Sequence, residues 1–300
     1  MIMKKSLLAI FFAAIGIYAG AYDYFISSGD YRVRISEKYK HTIREVVWKN
    51  YKLATQTGYC GAILCPASGK YIGAGHTEGG SENVLTVKVL CDGKDVVPAA
   101  NAVVKGSRVM VEKLTMFDKL LFRVVLELTP EGLVESKRFV ATAEQKVHLF
   151  YAHIYCFNKD FTDYYAFTAQ DKVISGKFEL PRDNSKARKN AWKINKEVKY
   201  VAEYDAAKNV GVVLYYPTVI KGAMRNATIW ECPWAYMKYY MMTALPKVIA
   251  ANWESPTYAV AVRGFAADSL EQFPAAAKAE ATKAAEIKFP VLEKPVMPEK

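Results

Sequence analysis

The sequence predicts an all-β chain: a large antiparallel β-sandwich with a short C-terminal helical or disordered tail. Three observations predict it. Apolar and polar residues alternate with period two in one stretch after another. From residue 84 onward, strand-like runs recur every roughly 8 to 15 residues with turn signals between them. Before residue 268 no long stretch carries a sustained helical period.

The 300 residues divide into three parts. Residues 1–21 have the layout of a signal peptide: a basic start, the apolar run SLLAIFFAAIGIYAG, and small residues Ala19-Gly20-Ala21 ahead of a cleavage point at Tyr22. The run is shorter than the roughly 20 apolar residues of a membrane span, an uncleaved N-terminal anchor being the alternative. The expected location is therefore secreted or periplasmic, with no membrane span in the mature protein. Residues 22–267 form a single sandwich domain. Residues 268–300 form an Ala-, Lys- and Glu-rich segment followed by a Pro-rich tail.

The formal net charge is +11. An exported basic protein points away from nucleic acid and toward an acidic glycan or an anionic cell surface. The other reading is bland, because the lysines are spread along the chain and serve equally as a soluble face. Five cysteines leave at least one unpaired, and their spacing is not that of a zinc site. They read as mostly buried small apolar residues.

The elements follow in order. Tyr31, Val33 and Ile35 alternate with Arg32 and Arg34, the period of a half-buried strand. Residues 42–53 make a strand or a helical turn. Residues 58–80 hold seven of the 17 glycines and read as loop broken by short apolar pieces. A hairpin follows around Asp92-Gly93, then another turn at Lys105-Gly106. Three strands come next, the first two joined at Pro130–Gly132. The last of them leads into 151–167, which begins as a strand and ends as a Tyr-dense, turn-rich segment. Later strands are expected at 177–180, 198–204, 210–216, 228–230 and 257–265.

Three segments carry a resemblance: LLFRVVLELTPEGLVESKRFVATAEQKVHLFYAHIY, VKYVAEYDAAKNVGVVLYYP, and TIWECPWAYMKYYMMTALPKVIAANWESPTYAVAVRGF. Their cadence resembles the galactose-mutarotase-like supersandwich family, which includes aldose epimerases and polysaccharide-lyase-like modules. The likeness covers roughly residues 84–265. It implies a carbohydrate ligand in a concave sheet face. The first reading is an exported sugar-processing enzyme, epimerase-like or lyase-like. The alternative is a non-catalytic carbohydrate-binding or cell-envelope protein on the same scaffold. In the epimerases a His-x-Tyr-Phe-Asn element supplies a His and a later strand supplies a Glu base. The matching positions here are His153-Ile154-Tyr155-Cys156-Phe157-Asn158 and Glu231. Cys156 is an extra residue in that element, and one residue reverses the face a strand side chain takes.

His153 and Glu231 are accordingly the candidate catalytic pair, since sugar ring opening needs a base and an acid. The competing role is a hydrogen-bonded His and a Glu in an ion pair. The Gly-rich loop with His76 and Glu78 is a candidate substrate contact. No cofactor and no metal site are expected, calcium being the one ion whose ligands that loop resembles. Tyr155, Tyr164 and Arg263 complete the candidate substrate contacts: Tyr faces stack on sugars, and an Arg neutralises a uronate. Tyr151 and Trp230 belong to the same aromatic cluster, most of which reads as core.

Overall fold

The computed structural model describes residues 22–55, 60–75, 82–179, 191–217, 224–232, 236–243 and 245–298. Four strands open the chain: β1 (Asp23–Ser28), β2 (Tyr31–Ser36), β3 (Thr42–Trp48) and β4 (Tyr51–Ala54). Then come β5 (Gly61–Pro66), β6 (Ile72–Ala74), β7 (Glu82–Cys91), β8 (Lys94–Val96) and β9 (Val103–Lys105). The centre is built from β10 (Val109–Phe117), β11 (Leu120–Thr129), β12 (Gly132–Ala141) and β13 (Gln145–Phe157). β14 (Asp163–Thr168), β15 (Val173–Lys177), β16 (Val198–Asp205) and β17 (Val210–Tyr215) follow. The chain closes with β18 (Met224–Cys232), β19 (Tyr236–Thr243), β20 (Val248–Ile249), β21 (Tyr258–Ala266) and the helix α1 (Phe273–Ala285).

The described strands form two sheets, and the predicted all-β sandwich is what they build. The first sheet runs β18-β19-β13-β4-β3-β2-β1-β9, with β5, β6 and β20 attached beside β13. The second runs β15-β14-β16-β17-β21-β12-β11-β10-β7-β8. Period-two alternation explains the register. β10 buries every second residue along its whole length, as Val109, Val111, Lys113, Thr115 and Phe117. The Asp92-Gly93 hairpin forms between β7 and β8, both residues having positive φ (50° and 83°), as a two-residue turn of that hand requires.

The turn at Lys105-Gly106 joins β9 to β10, but these strands lie in different sheets, and β9 pairs in parallel with β1. The Tyr-dense segment after β13 contains a strand of its own, β14, paired with β16. The strand expected at 177–180 lies earlier, as β15, where Val173 to Lys177 pair with β14. In both places Gly and Tyr obscured the alternation that pairing supplies. Residues 42–53 resolve as the β3–β4 hairpin.

Between the sheets lies a continuous apolar core. Its centre is aromatic: Phe122, Phe139, Phe150 and Tyr258 sit with ring centroids 5.4–6.4 Å apart. On the outer face of the second sheet, α1 packs over β16, β17 and β21 and buries Phe273, Ala277, Ala281 and Ala284. Phe273 stacks on Tyr204 at 4.9 Å. The tail after the helix is extended and docked: Leu292 donates its N–H to Thr257 Oγ1 at 3.0 Å, and Arg138 donates to the Leu292 carbonyl at 2.6 Å. All five cysteines are free and four are buried. No helix among the described residues is long and apolar enough to cross a membrane.

Candidate functional site

β13 carries His153 and Tyr155, and its geometry decides where they point. A register shift against β19 falls between Tyr151 and His153. Such a bulge resets which face each later side chain takes. Tyr155 and Phe157 consequently enter the inter-sheet core, while Ile154 joins Tyr151 and Ile63 on the opposite face. His153 also turns inward. Its Nδ1 lies 2.8 Å from Glu135 Oε2, on β12 of the other sheet. Tyr155 donates its hydroxyl to the same oxygen at 3.0 Å. Lys137 Nζ sits 2.9 Å from Glu135 Oε1 and donates to the carbonyls of Gly61 and Ala152.

This is a closed ionic network in the core, and both His153 and Tyr155 have no exposed surface. Burial pushes Glu135 up, but the Lys137 charge and hydrogen bonds from His153 and Lys137 outweigh it and hold the carboxyl at about 2. Burial and the Lys137 cation together keep the His153 imidazole below its ordinary range, against the pull of Glu135. A neutral ring facing a carboxylate carries its hydrogen on Nδ1. The network uses His153 to satisfy a buried acid.

Glu231 shares a face of β18 with Ala227 and Ile229, both core residues. It is fully buried and paired with Lys193 at 2.9 Å. Across β19, Met241 pairs with both His153 and Ala227, whereas Met237 pairs with both Phe157 and Glu231. His153 and Glu231 are thus offset by about 13 Å along the strands and about 10 Å across them. The structure does not bring them into one accessible site.

The other predicted contacts are dispersed. Arg263 Nε donates to Glu280 Oε2 of α1 at 3.0 Å, so this guanidinium fastens the helix to the second sheet. It also donates to the Glu131 carbonyl. Tyr164 packs against Phe178 at 5.3 Å at the margin of the core. His76 and Glu78, with the loop read as a calcium candidate, lie outside the described residues.

The outer face of the first sheet carries an aromatic cluster of its own, Tyr151 and Trp230 with Ile63, Leu149 and Ile154. Residues 191–197 run beside β18, with Trp192 bridged to Trp230. The two indoles stack at 5.7 Å with planes 17° apart, and Trp192 is 49% exposed. Tyr151, Trp192, Asn195 and Thr228 line a depression of about 200 Å³. Burial, with Tyr71 and Cys65 nearby, pushes the Tyr151 phenol up to about 12, so it stays a hydrogen-bond donor at neutral pH. Further along β13 lies a cleft of about 700 Å³, whose lining includes Lys146, His148, Leu149 and Lys247. Leu149 packs on the Tyr151 cluster, which joins the two hollows. An aromatic face beside amide and hydroxyl groups suits a polyol, whose C–H face stacks and whose hydroxyls bond.

Solved structures are similar to this chain at low identity. The galactosidase domain of an α-galactosidase–sucrose kinase superposes with a TM-score of 0.52 at 7% identity, over 81% of this chain and 40% of that one. The chain shares the β-sandwich fold of that domain. An α-galactosidase from Lactobacillus brevis gives a TM-score of 0.49 at 9% identity, over 84% of this chain and 40% of that one. A galactose mutarotase-like protein from Clostridium acetobutylicum gives 0.47 at 10% identity, over 80% and 94%. The chain thus spans about two fifths of the galactosidase chains it matches. No protein-family model and no curated protein matches it. At such identities the likeness is one of fold, and function rests on the site.

On this sandwich, sequence reasoning identified Tyr151 and Trp230 as part of an aromatic cluster but missed Trp192, Glu135 and Lys137. A signal for Trp192 existed. It is the lone aromatic of the largely polar stretch KNAWKINKE, whose other apolar residues are only Ala191 and Ile194. Glu135 and Lys137 gave none, because ESKRF reads as a solvated strand edge.

Proposed function

We propose that the protein is an exported carbohydrate-binding or cell-envelope protein whose ligand lies on the outer face of the first sheet. The observation that carries this reading is the half-exposed Trp192 stacked on Trp230, beside a depression lined by Tyr151, Asn195 and Thr228. An exposed aromatic pair flanked by hydrogen-bonding groups favours binding over chemistry. The enzymatic reading asks His153 and Glu231 to act on one sugar, and both are enclosed and separately paired. Export rests on residues 1–21, and sequencing the N-terminus of the secreted or periplasmic fraction tests it, Tyr22 being the expected first residue.

The binding reading is tested by titrating a panel of neutral and acidic oligosaccharides while following tryptophan emission. A ligand that shifts the emission of the wild type and not of Trp192→Ala supports it. Mutarotation or glycan cleavage lost in a folded His153→Ala variant would restore the enzymatic reading.

A further inference from the structure

Building on the carbohydrate reading, we infer that the ligand is an anionic glycan, its carboxylate or sulfate groups held by Lys146, His148 and Lys247 beside the aromatic platform. The cleft at the end of β13 is formed where β20 pairs with it, Lys146 lying opposite Val248. The Val147 N–H donates to the Lys247 carbonyl at 3.1 Å, which fixes the second lysine's backbone beside the first. A register shift between Val147 and Leu149 against β5 interrupts the ladder at His148. Lys146, His148 and Lys247 are all exposed.

What sets these charges apart is their place: two lysines and a histidine line one cleft, where β13 and β20 pair. Lys146 and Lys247 make no ion pair among the described residues, and the half-buried Leu149 and Leu245 line the same cleft. Two like charges on adjacent strands repel, and an anion between them relieves that repulsion. The ammonium groups and the imidazole N–H donate charge-assisted or neutral hydrogen bonds to such an anion. The net charge of +11 adds a long-range attraction of the same sign.

Cleft and platform are one surface. From Lys146 to Tyr151 the strand advances about 17 Å, and Leu149 fills the interval by packing on the cluster of Ile63, Tyr151 and Ile154. A short oligosaccharide lying along β13 places sugar rings on the indoles and acidic groups on the lysines.

The test is calorimetric titration of the full chain with three probes of equal length: an oligogalacturonate, a sulfated oligosaccharide and an uncharged oligogalactoside. Wild type, Lys146→Ala/Lys247→Ala and Trp192→Ala are compared at low and high salt. The expected result is preferential binding of one or both charged probes, weakened about tenfold by the double lysine change and by salt, with uncharged binding unaffected. Carboxylate and sulfate probes then identify which anion is held. Equal affinity for charged and uncharged probes, or a double variant that binds the charged probes normally, overturns the anionic inference alone. Unchanged affinity in Trp192→Ala sinks the stacking on which the carbohydrate reading stands. Absence of binding by all three probes overturns both. Unchanged thermal midpoints in the variants confirm that they fold.

Discussion

Trp192 and Trp230 face each other across a single antiparallel bridge, their rings 5.7 Å apart and nearly parallel. The bridge lies at the edge of the first sheet, so one indole is supported by the sheet and the other is presented to solvent. A partner ring held in this way is rigid before any ligand arrives, which lowers the ordering cost of binding.

Replacing Trp192 by Ala therefore separates binding from stability. An exposed substitution away from the core changes unfolding free energy by about 0.5 kcal/mol or less, somewhat more here for the lost stack. Glycan affinity should fall about tenfold or more. Titration and denaturant unfolding of the same variant check both halves.

The interior network behaves in the opposite way. Lys137→Met leaves the Glu135 carboxylate buried with one ionic partner fewer, and breaking such a pair costs about 3–5 kcal/mol. Converting both, as Glu135→Leu/Lys137→Met, should recover part of that loss, because no charge is then stranded although the buried His153 and Tyr155 donors lose their acceptor. Urea unfolding of the single and double variants measures the difference. A double variant no better than the single would mean that the ion pair itself is the source of stability.

Glu135 makes stability depend on acid. Its carboxyl sits at about 2 in the folded chain against 4.5 ordinarily. Between those values the unfolded chain binds the extra proton, so the contribution is present above pH 4.5 and lost as pH falls toward 2. The size is about 3 kcal/mol at neutral pH. His153 adds to the same trend earlier, since its ring resists protonation below 6.5 while the unfolded ring does not. The stability gap between wild type and Glu135→Gln should narrow as pH is lowered from 4.5 to 2, as followed by thermal melts.

Glu203 has the reverse sign. Burial raises its carboxyl well above 4.5, and neither oxygen has a hydrogen-bond partner among the described residues. The folded chain keeps this proton while the unfolded chain loses it, so stability falls as pH rises above 4.5. The slope is about 1.4 kcal/mol per pH unit wherever only the unfolded acid is ionised. Glu203→Gln should therefore melt higher than wild type at pH 8, with the advantage shrinking toward pH 4.5.

The Arg263–Glu280 pair and the Phe273 stack bind α1 to the second sheet. Phe273→Ala should cost about 3–5 kcal/mol, as for other buried aromatics. Glycan binding on the far sheet should survive, which titration of the folded variant checks.

That this chain is a sandwich was legible in local pattern alone. Alternation in β2 and β10 is a local pattern, and the Asp92-Gly93 turn is a local steric requirement, so both are readable from neighbouring residues. The aromatic character of Tyr151 and Trp230 was readable for the same reason. Which face of each strand is interior was not legible there, because it depends on how distant strands pack. One bulge before His153 turns that ring from a sheet's outer surface into the core, where it meets Glu135 from a strand of the opposite sheet. Arg263 likewise looks like a free cation until α1 folds back and brings Glu280 to it. Partners that lie in another sheet or on a returning helix leave no trace in local spacing, because register and docking are set by contacts between residues distant in the chain.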